Sequence, residues 1–366
     1  MHIAAAISGP LIIALILWEA FETIILPRRV QRRWRITRFF YQLTWMPFRA
    51  GARRIKKRQL RDSTLALFGP GSLLALFIFW AVGLIAGYAL LEFGLRLPLA
   101  LTGGLHAGLP TFLYLTGSTF FTLSLGEVTP NSWLARFITV AEAGNGLAFL
   151  AVVISYLPTL YSSFSQREVN ISLLDARAGS PASAGELLRR QALFGDFDKL
   201  NDLLRDWEQW SAALMESHIS YPVLCYFRSQ HTNQSWVAAL TAILDSSALV
   251  MTGIEGMSPW QARLTFAMCR HALVDIAQVF RRAPVPMAGD RMPPGEFAKL
   301  RAELSAASVN LSADPNACAA LKQLRDMYEP YAFALSEFLL MPLPPWTKPA
   351  DAKDNWTTSA WKVTHG

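Results

Sequence analysis

Charge is scarce in this chain: only 17% of its 366 residues are Asp, Glu, Lys or Arg, against 52% hydrophobic. So little charge excludes an ordinary soluble enzyme of this length and directs attention to membrane spans. Acid is missing altogether between Arg28 and Arg61, where thirteen basic residues fall. Without them the chain holds 21 Lys and Arg against 27 Asp and Glu, so the +7 net charge is local. A basic block between apolar runs is a topology signal, which argues against a nucleic-acid partner. Cysteine is limited to Cys225, Cys269 and Cys318, an odd number without metal-ligand spacing, read as reduced thiols. No HExxH pair occurs among the six histidines and no GxGxxG follows a strand pattern, so no metal, cofactor or nucleotide fold is expected. No alternating strand run and no internal repeat appears, and no acid/base constellation supports an enzyme.

Apolar runs fill the first half of the chain. Ile3–Leu26 lacks a basic n-region and a small-residue cleavage site, and reads as a retained helix. Glu19 and Glu22 share one of its faces and are expected to meet Arg28 and Arg29 at the interface, a gating or ion-path role being the alternative. Leu65–Leu91 carries no charge and is long enough to cross a core of about 30 Å. Trp133–Phe164 is a third span, interrupted by Arg136 and Glu142. Between these two, Pro110–Phe121 is too short to cross and reads as a re-entrant helix. The arginines place residues 28–64 in the cytoplasm, the N-terminus outside and everything after Ser165 inside. Arg interleaved with Phe, Tyr, Trp and Met in RWRITRFFYQLTWMPFRAGARR suits a helix on anionic headgroups.

The expected fold is an all-α membrane protein with three transmembrane helices, a re-entrant pore helix and filter loop, and an α-helical cytosolic domain. Its parts are residues 1–27, 28–64, 65–164, 165–341 and an irregular, mobile tail from 342 to 366. Within the cytosolic part, Ser183–Glu186 forms a capping-box pattern and RAPVPMAGDRMPPG is the longest loop. VAALTAILDSSALVM reads as one of its helices. Glu216, His218, Tyr226, Arg228 and His231 read as buried hydrogen-bonding groups, a pocket for a cytosolic ligand being the alternative.

TFLYLTGSTFFTLSLGEVTP, Thr111–Pro130, carries the chemistry. A short helix leads into Thr-Leu-Ser-Leu-Gly-Glu, and a proline starts the return. This layout resembles the pore loop of the potassium-channel superfamily, whose filter reads TVGYGD. Thr122 stands at the filter threonine, Leu123 at the valine, Ser124 at the first glycine, Leu125 at the tyrosine, Gly126 at the second glycine and Glu127 at the aspartate. Pro130 matches the proline beyond, and Thr119 a threonine near the pore-helix end. The following span resembles the inner helix, with Glu142, and with Gly144 and Gly146 as hinge or packing positions. Two segments after it, REVNISLLDARAGSPASAGELL and SHISYPVLCYFRSQHTNQSWVAAL, resemble bacterial relatives of these channels.

The resemblance implies a homotetramer in a bacterial inner membrane, passing monovalent cations, potassium foremost, without a cofactor. Filter carbonyls replace the water of a dehydrated ion. Aiming them at one axis requires alternating backbone handedness, which glycine adopts freely and other residues at a cost of about 1 kcal/mol. Ser124 and Leu125 depart from the pattern, so altered potassium selectivity is expected. Glu127 would form a carboxylate ring at the outer mouth. Thr119 and Glu142 would support the pore helix, Glu142 through a pore-helix polar group or Arg136. Tyr114, Thr116 and Ser118 read as packing residues. A non-conducting membrane receptor with a retained pore fold is the alternative, and a membrane-anchored enzyme a third reading.

Overall fold

The computed structural model describes residues 1–26, 35–103, 106–193, 197–231, 233–287, 289–312, 315–349 and 352. The chain is an all-α membrane protein, and its contacts divide it into two compact units. The first holds residues 1–54 and 67–162, the second 55–66 and 163–366.

In the first unit, α1 (His2–Ala20) ends in a π-helical turn at Phe21–Ile25. It lies against α4 (Phe68–Gly94), a 27-residue helix of mostly apolar side chains. The two backbones touch: a methyl group added at Gly9 would sit 2.6 Å from Gly87 O. Small residues allow such contact where lipid offers no hydrophobic drive to associate. α2 (Ile36–Arg53) follows α1 in the chain and packs on α4. Its Trp45 is buried on Phe68, with ring centroids 4.7 Å apart, whereas Phe39, Leu43 and Met46 are exposed along one face. That face suits the apolar side of an interfacial helix.

Glu19 and Glu22 are buried, and they receive the start of α2. Glu19 Oε2 accepts the Thr37 amide at 3.2 Å and the Thr37 hydroxyl at 3.0 Å. Glu22 accepts Trp18 Nε1 at 2.9 Å and lies 3.7 Å from Arg35 Nε. Carboxylates at a helix N-terminus satisfy its orphan N–H groups and complement its dipole. The expected partners Arg28 and Arg29 lie outside the described residues.

α4 is followed by β1 (Leu99–Leu101), α5 (Leu109–Phe120) and β2 (Val128–Pro130), the two strands pairing antiparallel with Leu99 opposite Pro130. α6 (Trp133–Ala178) then runs 46 residues without a break, its first part in this unit.

Among the described residues the second unit contains α3 (Arg58–Ala66), the end of α6, and seven further α-helices: α7 (Ala184–Ala192), α8 (Phe197–Ser220), α9 (Trp236–Gly253), α10 (Trp260–Val279), α11 (Pro294–Ala306), α12 (Pro315–Asp326) and α13 (Glu329–Leu339). Ser183 Oγ accepts the Glu186 amide at 3.3 Å and caps α7. The Glu186 carboxylate turns to Arg189 and Arg190 at 2.7 Å instead of closing the box. Despite opposing burial, these guanidinium groups hold it below the usual carboxylate range.

α9 is apolar and long enough to cross a membrane by composition, as are α1 with its π turn, α3–α4 and α6. Unlike them it is enclosed, with most of its residues buried within the protein. Asp245 at its middle is fully buried, paired with Arg291 at 2.7 Å and accepting the Tyr328 hydroxyl. Arg291 also bonds Glu329 at 2.9 Å and the Pro344 carbonyl at 2.9 Å.

Two expectations are corrected here. Residues 342–349 are irregular, but Trp346 is buried and its carbonyl accepts the Gly185 amide at 2.9 Å, so this part of the tail is fixed. Residues 350–351 and 353–366 lie outside the described residues. The polar cluster around His218 does not assemble as one group. His218 is buried, bonded to Arg167 and Ser217 at 3.1 Å, with its pKa pushed down by burial and by Arg167. Arg228 and His231 line a separate cleft.

Candidate functional site

α5 has twelve residues, about 18 Å at about 1.5 Å per residue, roughly half of a hydrocarbon core. Gly108 precedes it, Pro110 sits in its first turn, and Phe112, Leu115 and Phe120 are buried. Thr116 Oγ1 donates to Ile85 O of α4 at 3.3 Å and Ser118 Oγ to Leu115 O at 2.8 Å. Thr116 is buried and packs α5 on α4, as the sequence suggested, whereas Ser118 bonds within its own helix.

The helix ends in a Schellman arrangement. The Thr122 amide bonds Thr119 O at 3.0 Å, and the Leu123 amide bonds Ser118 O at 2.7 Å. That geometry demands a left-handed residue at Thr122, whose φ is 55°. Thr119 thus contributes its carbonyl. Beyond the cap the left-handed φ recurs at alternate residues, 49° at Ser124 and 80° at Gly126. Leu123 and Leu125 do not share it, and their side chains are 60% and 55% exposed. Serine and threonine therefore hold conformations that glycine adopts more cheaply.

The far end of the loop is tied at Glu127. Its carbonyl accepts the Thr102 amide at 3.0 Å and hydroxyl at 3.1 Å. Its carboxylate accepts the Tyr114 hydroxyl at 2.8 Å. Leu125 cannot supply a bracing hydroxyl, and Tyr114 on α5 supplies one. Sequence reasoning placed Tyr114 among packing residues. The thirteen-residue separation crosses a turn, so no periodicity signals it.

Glu142 on α6 is fully buried, electrostatically coupled to Glu92 of α4 and to Tyr88. Neither carboxyl has a hydrogen bond among the described residues. Glu142 therefore meets neither a pore-helix polar group nor Arg136, whose Nε points to Pro130 O at 3.5 Å. Asn145 Nδ2 bonds Tyr88 Oη at 3.2 Å in the same region. Gly146 is a contact position: an added methyl would lie 2.3 Å from Phe120 O, so α6 crosses the end of α5 backbone to backbone. Gly144 has open space within 4 Å.

Phe137, Val140, Leu147 and Ile154 of α6 are exposed, and little of its most apolar stretch is buried by the chain itself. Lipid or further protein must cover so large an apolar face.

Residues 75–162, which contain α5, its loop and most of the two long flanking helices, match the family described as "Ion channel" (Ion_trans_2), in support of the pore-loop channel superfamily for this segment. Among curated proteins, the uncharacterized membrane protein YdjJ of Bacillus subtilis (strain 168) is 22% identical over 190 residues. The aligned part is 52% of this chain and 54% of that protein, so the chain spans about half the length of this relative. No solved structure matches.

Proposed function

We propose, taking residues 75–162 as a channel-family pore segment, that four copies of this chain enclose a passive cation path. The observation that carries this reading is the alternation of left-handed φ at Thr122, Ser124 and Gly126, between a helix cap and the Glu127 anchor. Alternating handedness turns successive carbonyls toward one side. A dehydrated monovalent cation, potassium foremost, exchanges its water for such oxygens when several copies supply them around an axis. The exposed face of α6 is then the surface that lines the pore and meets other copies. The C-terminal end of α5 adds its negative partial charge. Residues 122–127 face the outside of a bacterial inner membrane, with the N-terminus also outside. The second unit is cytoplasmic and biases the gate, and the α2 arginines rest on anionic headgroups.

Bilayer recording of the purified protein tests this reading. Cation currents with similar reversal potentials in sodium and potassium are expected. An intact assembly that never conducts would overturn it in favour of a membrane receptor with a pore-like fold. Ser124→Gly removes roughly 1 kcal/mol of left-handed cost. It is expected to raise the potassium-to-sodium permeability ratio by up to about fivefold, the limit reached if all of that energy favours the potassium-bound filter. An unchanged ratio would sever selectivity from the backbone at this position. Tyr114→Phe deletes only the hydroxyl on Glu127. Open bursts several-fold shorter in single-channel records are expected, and wild-type bursts would deny the brace a part in holding the loop.

A further inference from the structure

The second unit contains a cleft of about 550 Å³, bounded by α3, the segment before α9, the first turn of α9 and residues 342–345. That volume falls within the range of about 300–1,000 Å³ typical of small-molecule sites. Arg58, Arg228 and Arg291 line it, with Asp62 the one carboxylate among the described lining residues. Arg291 is committed to Asp245 and Glu329. Asp62 lies 3.9 Å from Arg58.

Arg228 is different. Its Nη1 donates to Leu340 O at 2.9 Å and its Nη2 to Leu339 O, so it caps the end of α13 through carbonyls, with no carboxylate in ion-pair range among the described residues. Capping explains two of the five N–H groups of a guanidinium. Burial pushes its pKa down to about 10, Asp62 opposing and Arg61 adding to the shift, so the group stays charged at neutral pH.

Two neighbours add to this charge. Ser235 Oγ caps the Ala238 amide at 3.0 Å, and both residues line the cleft, which puts the positive end of the 18-residue α9 there. Gln234 Oε1 is buried beside them without a hydrogen-bond partner among the described residues. A buried amide oxygen in that state calls for a donor, and amide and oxygen exchange places on a flip.

We propose that this cleft binds a small soluble metabolite carrying a phosphate or carboxylate, its oxyanion on Arg228, Arg58 and the first turn of α9, and its polar body on Gln234. The proposal goes beyond ion conduction, because binding is measured whether or not the protein conducts. In the chain only Leu67 separates α3 from α4, so the site has a direct covalent link to the first pore-segment helix.

The test is titration of the full-length detergent-purified protein with AMP and with inorganic phosphate, at constant ionic strength set with chloride. Saturable binding of at least one probe in the millimolar range or tighter is expected. Arg228→Met should weaken it at least about tenfold, as loss of a charged hydrogen-bond donor does. Arg58→Ala and Gln234→Ala should each weaken it several-fold, whereas Arg205→Ala, an exposed substitution on α8 outside the cleft, should not. No saturable binding of either probe, or equal affinity in the Arg58 and Gln234 variants, overturns the proposal. These two variants decide the matter if Arg228→Met fails to fold.

Discussion

Arg291→Met is expected to destabilise the second unit by about 3–5 kcal/mol, the cost of leaving a buried charge without its partner. The guanidinium is 7% exposed and the Asp245 side chain it neutralises 0%. Removing it strands that carboxylate in the centre of the core and also releases Glu329 and the Pro344 carbonyl. Arg325 remains on Glu329 at 3.1 Å and on Asp290, so the loss is concentrated at Asp245. Replacing both partners by apolar residues of similar volume should cost far less, because a buried ion pair is often no more stable than a packed hydrophobic pair. Chemical denaturation of the single variant and of an Arg291→Met/Asp245→Leu double variant checks this. A single variant within about 1 kcal/mol of wild type would mean that water or another cation reaches Asp245.

Gly146→Ala is the second large effect. An added methyl would stand 2.3 Å from Phe120 O, and that neighbour is backbone in the last turn of α5, unable to swing aside. Overpacking of this kind costs about 1–3 kcal/mol. It should also displace α5 relative to α6, and with it the capped turn at Thr122. Gly144→Ala meets open space and serves as the control, with a gain or loss of under about 1 kcal/mol from helix propensity. Thermal unfolding with cation flux from vesicles reads both consequences. Equal behaviour of the two variants would show that α6 moves away from α5 at little cost.

Much of the pore segment is legible in the sequence because its signals are local. The length of the Pro110–Phe121 run, the flanking charge-free stretches and Pro130 place the short helix and its return without any tertiary knowledge. Gly126 betrays one left-handed position and the alignment of Ser124 with a filter glycine a second, but Thr122 hides a third, since threonine does not favour that conformation. Contacts across long separations are hidden as well. Glu19 and Glu22 read as interfacial charges, whereas the start of α2, eighteen residues beyond Glu19, takes the Glu19 carboxylate. Glu92 drew no notice, because its meeting with Glu142 depends on how two distant helices pack. Trp346 lies in a proline-rich stretch that reads as loose, and only its burial reveals an anchored chain.

Asp245 has a second consequence, felt before the protein is folded. A nascent segment with the hydropathy of α9 reaches the insertion machinery with no core yet present to receive it. A carboxylate at the midpoint of a candidate span opposes partition into the bilayer by about 2.5–3.5 kcal/mol. The residue that anchors Arg291 thus also weighs against partition of the isolated α9 segment into lipid.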